Sequence, residues 1–164
     1  MTDNTQIFER LYKDYHAMVH QVCMGFVKGQ KDQAKDLTQE TFINTWRALD
    51  NFKGASGYKT WIYRITVNTC LKYIRDHKKK DQVTFDQHEN IQAHEEQAPV
   101  EDPKHNQLYM AIGHLEGLDR LIIMMVLDEL NYEEISEVVG ISEGNLRVKI
   151  HRIKKRLKKI LENE

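Results

Sequence analysis

The sequence predicts an all-α protein: two small helical modules joined by a flexible acidic linker, the C-terminal module being a helix-turn-helix. Apolar residues recur at three- and four-residue spacing through most of the chain, and only two Pro and eight Gly interrupt it. The periodicity stops over one long polar stretch that contains both prolines. The modules are therefore predicted at residues 1–78 and 106–164, with the linker at 79–105.

Composition places the chain among water-soluble proteins with modest cores, since 30% of its 164 residues are charged and 40% are hydrophobic. It has neither a run of 18 apolar residues nor a charged-then-apolar leader, so we expect a cytoplasmic protein without membrane insertion. Cys23 and Cys70 are too few for a disulfide framework and stand among apolar neighbours. Both are expected to be reduced core thiols.

Three helices are predicted in the first module. Helical spacing of apolar residues runs from about Ile7 to Phe26. A second helix, with Asp32 as its expected cap, ends near Asp50. After a loop with two glycines, Ser56 is expected to cap a third helix from about Tyr58 to Arg75. The inner face of that third helix is predicted to hold Tyr58, Trp61, Ile62, Ile65 and Thr69.

Charge is distributed in blocks that the net charge of −1 conceals. Residues 81–102 include seven acidic side chains and neither Lys nor Arg, which is typical of a solvated linker. Residues 147–159 include eight Lys or Arg and no acidic residue. A second basic cluster begins in the last turn of the third helix and continues beyond it, at Lys72, Arg75, Lys78, Lys79 and Lys80. Such local basic blocks indicate nucleic-acid contacts.

The second module is predicted to contain a helix-turn-helix. After helices near 108–115 and 118–130, apolar spacing predicts one helix at about Tyr132–Val139 and another at about Glu143–Leu161. Gly140 stands where the chain must turn sharply, and Ser142 is suited to cap the second helix. Leu146, Ile150 and Ile153 face inward, which leaves a basic, hydrogen-bonding outer face suited to a DNA major groove.

Three segments resemble a known family. Residues 36–49, Asp-Leu-Thr-Gln-Glu-Thr-Phe-Ile-Asn-Thr-Trp-Arg-Ala-Leu, resemble the polymerase-binding helix of bacterial sigma factors. Residues 58–69, Tyr-Lys-Thr-Trp-Ile-Tyr-Arg-Ile-Thr-Val-Asn-Thr, resemble the helix that melts and reads the minus-10 element. The helix-turn-helix, through His151-Arg152, resembles the minus-35 reader. Their order and spacing, from about Phe8 to Leu161, resemble the extracytoplasmic-function group of the sigma-70 family.

This resemblance implies a role in promoter-specific transcription initiation, with core RNA polymerase (β′ clamp coiled coil and β subunit), promoter DNA and an anti-sigma factor as expected partners. The implied polymerase-binding residues are Asp36, Gln39 and Glu40, with Phe42 and Trp46 supporting them from the core. The implied minus-10 residues are Lys53, Gly54, Ser56, Tyr58, Arg64, Asn68, Lys72 and Arg75. The implied minus-35 residues are Ser142, Asn145, Arg147, Val148, Lys149, His151, Arg152 and Lys155. Two residues depart from the commoner pattern, the apolar Val148 and the helix-weakening Gly144.

Other functions account for the sequence less well. An enzyme is not expected, because the sequence has no Gly-rich phosphate loop, nucleophile elbow or paired carboxylates that periodicity can place; no cofactor is expected either. His16, His20 and Cys23 share a helical face, but Cys23 falls among apolar residues, so no metal site is expected. The alternatives are a dimeric operator-binding regulator and a pure interaction module. Run-off transcription with core polymerase separates both from a sigma factor.

Overall fold

The computed structural model describes residues 3–83 and 103–163, and every regular element in those two ranges is a helix. The N-terminal module contains α1 (Asp3–Phe26), α2 (Lys31–Ala48), a 3-10 turn (Leu49–Asn51) and α3 (Tyr58–Val83). The C-terminal module contains α4 (Pro103–Gly113), α5 (Gly117–Leu127), α6 (Tyr132–Val139) and α7 (Glu143–Glu162). The all-α prediction is confirmed. Most of the predicted linker, residues 84–102, lies outside the described residues.

Several predicted boundaries differ from the structure. Helix α3 continues to Val83 and α4 begins at Pro103, so both ends of the predicted linker are helical. Proline suits that first position because the missing N–H has no partner within the helix. Gln30, not Asp32, is the residue before α2, and no side chain caps it. Gly57, not Ser56, is the residue before α3. Its carbonyl oxygen accepts the first hydrogen bond of the helix, from Trp61 N at 3.1 Å.

The N-terminal module is a three-helix unit whose core is apolar with a band of threonines. Val19, Cys23 and Ile62 are fully buried, as is Cys70. Thr38, Thr41 and Thr45 follow one another along α2, and each hydroxyl donates to the carbonyl four residues earlier. The hydroxyls thereby satisfy their hydrogen-bonding capacity within their own helix, which lets polar residues face the core at little cost.

The helix-turn-helix matches the sequence prediction closely. Helix α6 has the predicted bounds, and Gly140 ends it in the left-handed region at φ 72°. Ser142 Oγ accepts from Asn145 N at 3.4 Å, as expected of the cap of α7. Leu146, Ile150 and Ile153 are all buried, as predicted, with Leu157 one turn further along.

The two modules pack against each other, with α5 and α6 lying on α1 and α3. Two glycines allow the helices to approach closely at this boundary. A Cβ on Gly25 of α1 would collide with the side chain of Met124, and a Cβ on Gly117 of α5 would collide with Ile74. The sequence prediction of two modules did not include their contact.

A capping box that the sequence prediction did not identify begins α6. Asn131 Oδ1 accepts from Glu134 N at 2.8 Å, and Glu134 Oε2 accepts from Asn131 N at 3.0 Å. Two backbone amides that the helix itself cannot satisfy are thus paired.

We expect Asn131→Ala to lower the free energy of unfolding by about 1 kcal/mol, because the cap is lost at the start of a short helix. Asn131→Ser, which keeps a capping oxygen, should stay within a few tenths of a kcal/mol of wild type. Urea denaturation followed by far-ultraviolet circular dichroism measures both. Equal losses in the two variants would show that the capping oxygen is not what stabilises α6.

Candidate nucleic-acid interface

One face of α2 presents the predicted polymerase-binding residues. Asp36, Gln39 and Glu40 are exposed and share a face, since they stand three and four residues apart. Phe42 is buried, with 3% of its surface exposed, whereas Trp46 is 46% exposed. Phe42 therefore supports the helix from the core, and Trp46 extends the polar row with an accessible aromatic surface.

Aromatic rings from α1 hold Trp46 in place. Its ring meets Phe8 edge-on, with centroids 5.3 Å apart and an interplanar angle of 78°. Phe8 also contacts Phe42, and Tyr12 lies 4.8 Å from the same Phe42 ring. Edge-to-face packing of this kind fixes ring orientation, so Trp46 stands in a defined position at the surface.

The loop before α3 is organised by three aromatic rings. Phe52 stacks on Tyr58, with centroids 4.4 Å apart at 22°, and contacts Trp61 at 4.8 Å. Trp61 is half-buried in this cluster, in keeping with the packing role expected from its helical spacing. Lys53 and Gly54 are exposed at the loop tip, where Gly54 has φ 72°, and Ser56 is half-buried.

Four polar residues form a stripe along one face of α3. Arg64, Asn68, Lys72 and Arg75 are spaced by four, four and three residues, so they lie along one face, and all four are exposed. Asn68, Lys72 and Arg75 also line a shallow cleft against α2, where Asn44 donates to Thr69 at 3.1 Å. Tyr58 lies about 15 Å from Asn68 along the helix axis. The loop and Asn68 therefore lie apart and do not line one common pocket.

The second module contacts this stripe while leaving its four side chains exposed. Arg64 Nη2 donates to the backbone oxygen of Glu137 in α6 at 3.2 Å. Lys59 Nζ lies 3.7 Å from Asp128 at the end of α5. Asn68 and Arg75 also line a second cleft, whose opposite wall is formed by the start of α5 at Glu116, Gly117 and Leu118.

The outer face of α7 presents seven of the eight predicted minus-35 residues. Val148 is 50% exposed, and Arg147 packs over the Tyr132 ring with its guanidinium carbon 5.1 Å from the centroid. Lys149 is different because its Nζ lies 3.0 Å from Asp119 Oδ1 in α5. The exposed members of the predicted set are Ser142, Asn145, Arg147, Val148, His151, Arg152 and Lys155.

The ion pair between Lys149 and Asp119 fastens α7 to α5. The side chain of Asp119 is only 17% exposed, and that of Lys149 is 35% exposed. Asp119 Oδ1 is buried and receives no hydrogen bond of good geometry, so its ionic contact with Lys149 is what offsets its desolvation. Lys149 is thus engaged within the protein, unlike Arg152 and Lys155.

Sequence reasoning missed three polar residues at the module boundary, which are Tyr63, Asp128 and Arg120. Tyr63 is fully buried, and its hydroxyl donates to Asp128. Arg120 Nε donates to Phe26 O at 2.9 Å, and Arg120 Nη1 donates to Leu115 O at 2.6 Å. The sequence around Tyr63 does not indicate this hydrogen bond, because its partner Asp128 lies 65 residues away in the chain.

The two cysteines are free thiols in the N-terminal core, as expected. A hydrogen bond to Cys23 together with burial raises the pKa of the Cys70 thiol well above its ordinary value. His16 and His20 stack in parallel at 6.3 Å, and burial followed by repulsion from His16 lowers the pKa of His20. Within residues 3–83 and 103–163, no three His, Cys, Asp or Glu side chains are grouped to hold a metal ion.

Comparison with known proteins gives the family. Residues 11–80 match the family model for Sigma-70 region 2, and residues 105–157 match that for Sigma-70, region 4. The chain belongs to the extracytoplasmic-function group of the sigma-70 family. It is accordingly a sigma factor that directs transcription initiation. The two matched regions include the α2 face, the α3 stripe and the helix-turn-helix.

Individual relatives agree with this assignment. The ECF RNA polymerase sigma-E factor of Escherichia coli K12 is 31% identical over 71% of this chain and 68% of its own length. The RNA polymerase sigma-H factor of Pseudomonas aeruginosa is 29% identical over 94% of this chain and 86% of its own. The chain spans only 54% of the length of the Mycolicibacterium smegmatis ECF sigma factor SigE, to which it is 29% identical.

Two solved structures share the fold. The sigma factor RpoE of Bartonella quintana, in complex with the anti-sigma factor NepR, superposes with a TM-score of 0.78 at 21% identity, over 96% of this chain and 98% of that one. CnrH in complex with the cytosolic domain of CnrY gives a TM-score of 0.71 at 20% identity, over 99% and 92%.

No helix within residues 3–83 and 103–163 combines the length and the apolar character that crossing a bilayer would require.

We expect Lys149→Ala to reduce the free energy of unfolding by about 1 kcal/mol, because it leaves the Asp119 carboxylate half-buried without its cation. Lys155→Ala, which removes the same side chain from an exposed position on the same helix, should change stability by less than about 0.5 kcal/mol. Urea denaturation compares the two. A Lys149 variant as stable as the Lys155 variant would contradict a structural role for this ion pair.

Proposed function

We propose that this sigma factor docks on core RNA polymerase through α2, reads the minus-35 duplex with α7 and captures the melted minus-10 strand along α3. The observation that carries the proposal is the polar stripe of α3, which begins beside an aromatic loop and continues into two cations. Duplex readers need cations and hydrogen-bond donors, whereas a strand with unstacked bases also needs aromatic surface and amides. The chain offers both types of surface, on different modules.

Docking through α2 rests on the exposed row of Asp36, Gln39 and Glu40 with Trp46 beside it. Acidic and amide side chains suit a basic, hydrogen-bonding partner, as the proposed β′ coiled coil would be. A half-exposed tryptophan fixed by neighbouring rings adds the large, pre-organised contact area that is typical of binding hot spots. The β subunit is proposed as a further contact of the polymerase.

Minus-10 capture is proposed to use two subsites. The loop at Lys53, Gly54 and Ser56, together with Tyr58, would hold one part of the strand near its aromatic cluster. Asn68 would hydrogen-bond an extruded base about four stacked nucleotide steps further along, because 15 Å corresponds to about four steps of 3.4 Å. Lys72 and Arg75 would neutralise the adjacent phosphates, and Arg64 would join them when it is released from Glu137.

Minus-35 reading is proposed for the outward residues of α7. Arg147, His151 and Arg152 have donors for base edges, and Val148 offers apolar contact to a thymine methyl. Ser142, Asn145 and Lys155 would contact phosphates, which position the helix without reading sequence. Lys149 is proposed to act indirectly, by orienting α7 through Asp119.

An anti-sigma factor is proposed as a further partner. The solved structure of RpoE contains its anti-sigma factor NepR, and that protein shares the fold of this chain. An inhibitor of this type would compete with the polymerase for exposed surfaces such as the Trp46 region.

Reconstituted transcription tests the proposed function. The full chain is added to core polymerase with a library of promoter fragments, and run-off products are sequenced. We expect selected fragments to share two short elements separated by a fixed spacer. Absence of any run-off product above core polymerase alone, or transcripts without shared upstream elements, would refute the proposal.

The docking face has its own prediction. Asp36→Ala with Gln39→Ala should weaken binding to core polymerase at least tenfold, the equivalent of about 1.4 kcal/mol, without loss of helicity. The control is Asp76→Ala with Gln107→Ala, which removes the same two side-chain types from exposed positions on other helices. Fluorescence anisotropy of labelled protein titrated with core measures the affinity. Equal affinities for the two double variants would exclude this face from docking.

Asn68 should matter for opening the promoter rather than for finding it. Capturing an extruded base offsets an unpairing cost of a few kcal/mol, so we expect Asn68→Ala to cut run-off yield about tenfold while leaving closed-complex binding intact. Permanganate reactivity of melted thymines should fall in parallel, and premelted templates should restore most of the yield.

The matched control for Asn68 is Asn163→Ala, which removes an exposed amide at the end of α7. This variant should melt and transcribe like wild type. If Asn68→Ala also gives wild-type permanganate footprints on duplex promoters, Asn68 does not contact a melted base.

A further inference from the structure

We propose that Cys23 and Cys70 form a reversible disulfide when the chain reacts with a peroxide, and that this bond reduces promoter opening. The chain has two cysteines in all, far apart in sequence, and the fold buries both in the N-terminal module. Formation of the disulfide does not depend on the proposed function. Its effect on transcription rests on the proposed role of Asn68 in capturing a melted base.

The two thiols meet where α1 packs directly on α3. Cys23 and Cys70 both have 0% of their surface exposed, and their thiols are hydrogen-bonded to each other. An S–S bond of about 2.05 Å forms only between side chains that point at one another, and hydrogen-bonded thiols already have this arrangement. The oxidised form therefore requires a local adjustment of two packed helices and no change of fold.

The surroundings of the two thiols give them different roles. The hydrogen bond with Cys70 lowers the pKa of the Cys23 thiol, against the opposing effect of burial. The same bond, followed by burial, raises the pKa of the Cys70 thiol. Cys23 therefore ionises first, and the thiolate is the form that reacts with oxidants. The Arg120 guanidinium, which donates to Phe26 O and Leu115 O, favours the Cys70 thiolate and so assists the later step in which Cys70 loses its proton.

The reaction proceeds in two steps and balances with one hydrogen peroxide. First, the Cys23 thiolate attacks a peroxide oxygen, so that an S–O bond forms, the O–O bond breaks and the departing hydroxide is protonated to water. Second, the Cys70 thiolate attacks the sulfenic acid on Cys23, so that an S–S bond forms, the S–O bond breaks and a second water leaves. Two thiols are oxidised to one disulfide, and the two thiol protons end in the two waters.

Burial of the pair restricts which oxidants can react. Hydrogen peroxide is close to a water molecule in size, so local fluctuations of the core admit it. Glutathione disulfide is much larger, and exchange with it requires a thiolate with access to its S–S bond, which the packed core denies. We therefore expect the pair to respond to peroxide and to resist exchange with bulky disulfides.

Cys70 lies directly behind the proposed DNA stripe of α3. Asn68 and Lys72 stand two residues before and two residues after it, so their side chains point to the opposite face of the helix. Bond formation draws the two sulfurs together to about 2.05 Å, and a close-packed core transmits such a shift to the backbone. Because a misplacement of about 1 Å is enough to impair a positioned group, oxidation is expected to displace Asn68 from its base.

Mass spectrometry of the wild-type chain tests disulfide formation without any substitution. The full chain is treated with hydrogen peroxide, freed of it with catalase, denatured and exposed to iodoacetamide. We expect the chain to lose two hydrogens, to take up no alkyl group and to yield a peptide that joins Cys23 to Cys70. Dithiothreitol should restore both alkylation sites. Two alkylated thiols, a disulfide between two chains, or oxygen added separately to each cysteine would overturn the proposal.

Single substitutions are matched controls, because each leaves one thiol in the same core. After peroxide, Cys70→Ala should retain a sulfenic acid at Cys23 that dimedone traps, whereas Cys23→Ala should react at Cys70 at least about tenfold more slowly. Far-ultraviolet circular dichroism verifies that both variants keep their helicity. The reverse order of reactivity would overturn the assignment of Cys23 as the attacking thiol. Oxidation of wild type by glutathione disulfide as fast as by peroxide would contradict the selection of oxidants by burial.

Run-off transcription tests the consequence for function. Oxidised chain freed of peroxide is added to untreated core polymerase, and its yield from a duplex promoter should fall at least about threefold below that of the reduced chain. Dithiothreitol should restore the yield, and Cys23→Ala carried through the same treatment should keep its own. An oxidised chain that transcribes like the reduced one would overturn the effect on promoter opening. A reduced chain that gives no run-off product refutes the proposed function instead, so the two failures are distinguishable.

Discussion

The arrangement of the whole molecule depends on α5, a helix that is apolar on every side. Residues 121–125 are five consecutive positions that are all buried, which no helix with a single apolar stripe can show. One side of α5 packs within the C-terminal module on α4, α6 and α7, and the other side packs on α1 and α3. Each module is small, and neither completes its apolar packing around α5 by itself. A helix of this composition therefore draws the two modules together.

Tyr63 turns this apolar contact into a specific one. Its burial and its hydrogen bond to Asp128 raise the pKa of the phenol above the ordinary value, so the hydroxyl stays protonated and can donate. A buried donor is costly when it has no acceptor, and the cost penalises every other register of α3 against the C-terminal module. Hydrophobic burial supplies attraction here, and the pairing of Tyr63 with Asp128 supplies selectivity.

Features set by neighbouring residues could be predicted from the sequence, and features set by distant ones could not. The bounds of α6, the left-handed Gly140 and the Ser142 cap follow from local chemistry over fewer than a dozen residues. The packing partner of Tyr63 and the ion pair that holds Lys149 depend on α5, which periodicity cannot orient. Trp46 was expected to support the core, yet it is half-exposed, because helical spacing locates a face without saying how far a neighbouring helix covers it.

The C-terminal end of α3 could not be located from the sequence either. Polar composition predicted linker from residue 79, but the helix continues to Val83. Lysine, as at Lys78, has a high helix propensity. A helix can therefore continue beyond its last apolar residues once packing has fixed its earlier turns. The candidate DNA residues of α3 could be located because they follow one helical face. The positions of α5 and α6 beside them could not be predicted, because the residues involved are more than 40 positions away in the chain.

Because Arg64 belongs both to the contact between the modules and to the proposed DNA stripe, folding and function draw on the same side chain. Its bond to Glu137 O holds α6 against α3. The same guanidinium is proposed to bind a phosphate once it is released from that bond. The docking face of α2 lies outside this contact, because Asp36, Gln39 and Glu40 are exposed. Core polymerase can therefore bind through α2 whether or not Arg64 is bonded to Glu137.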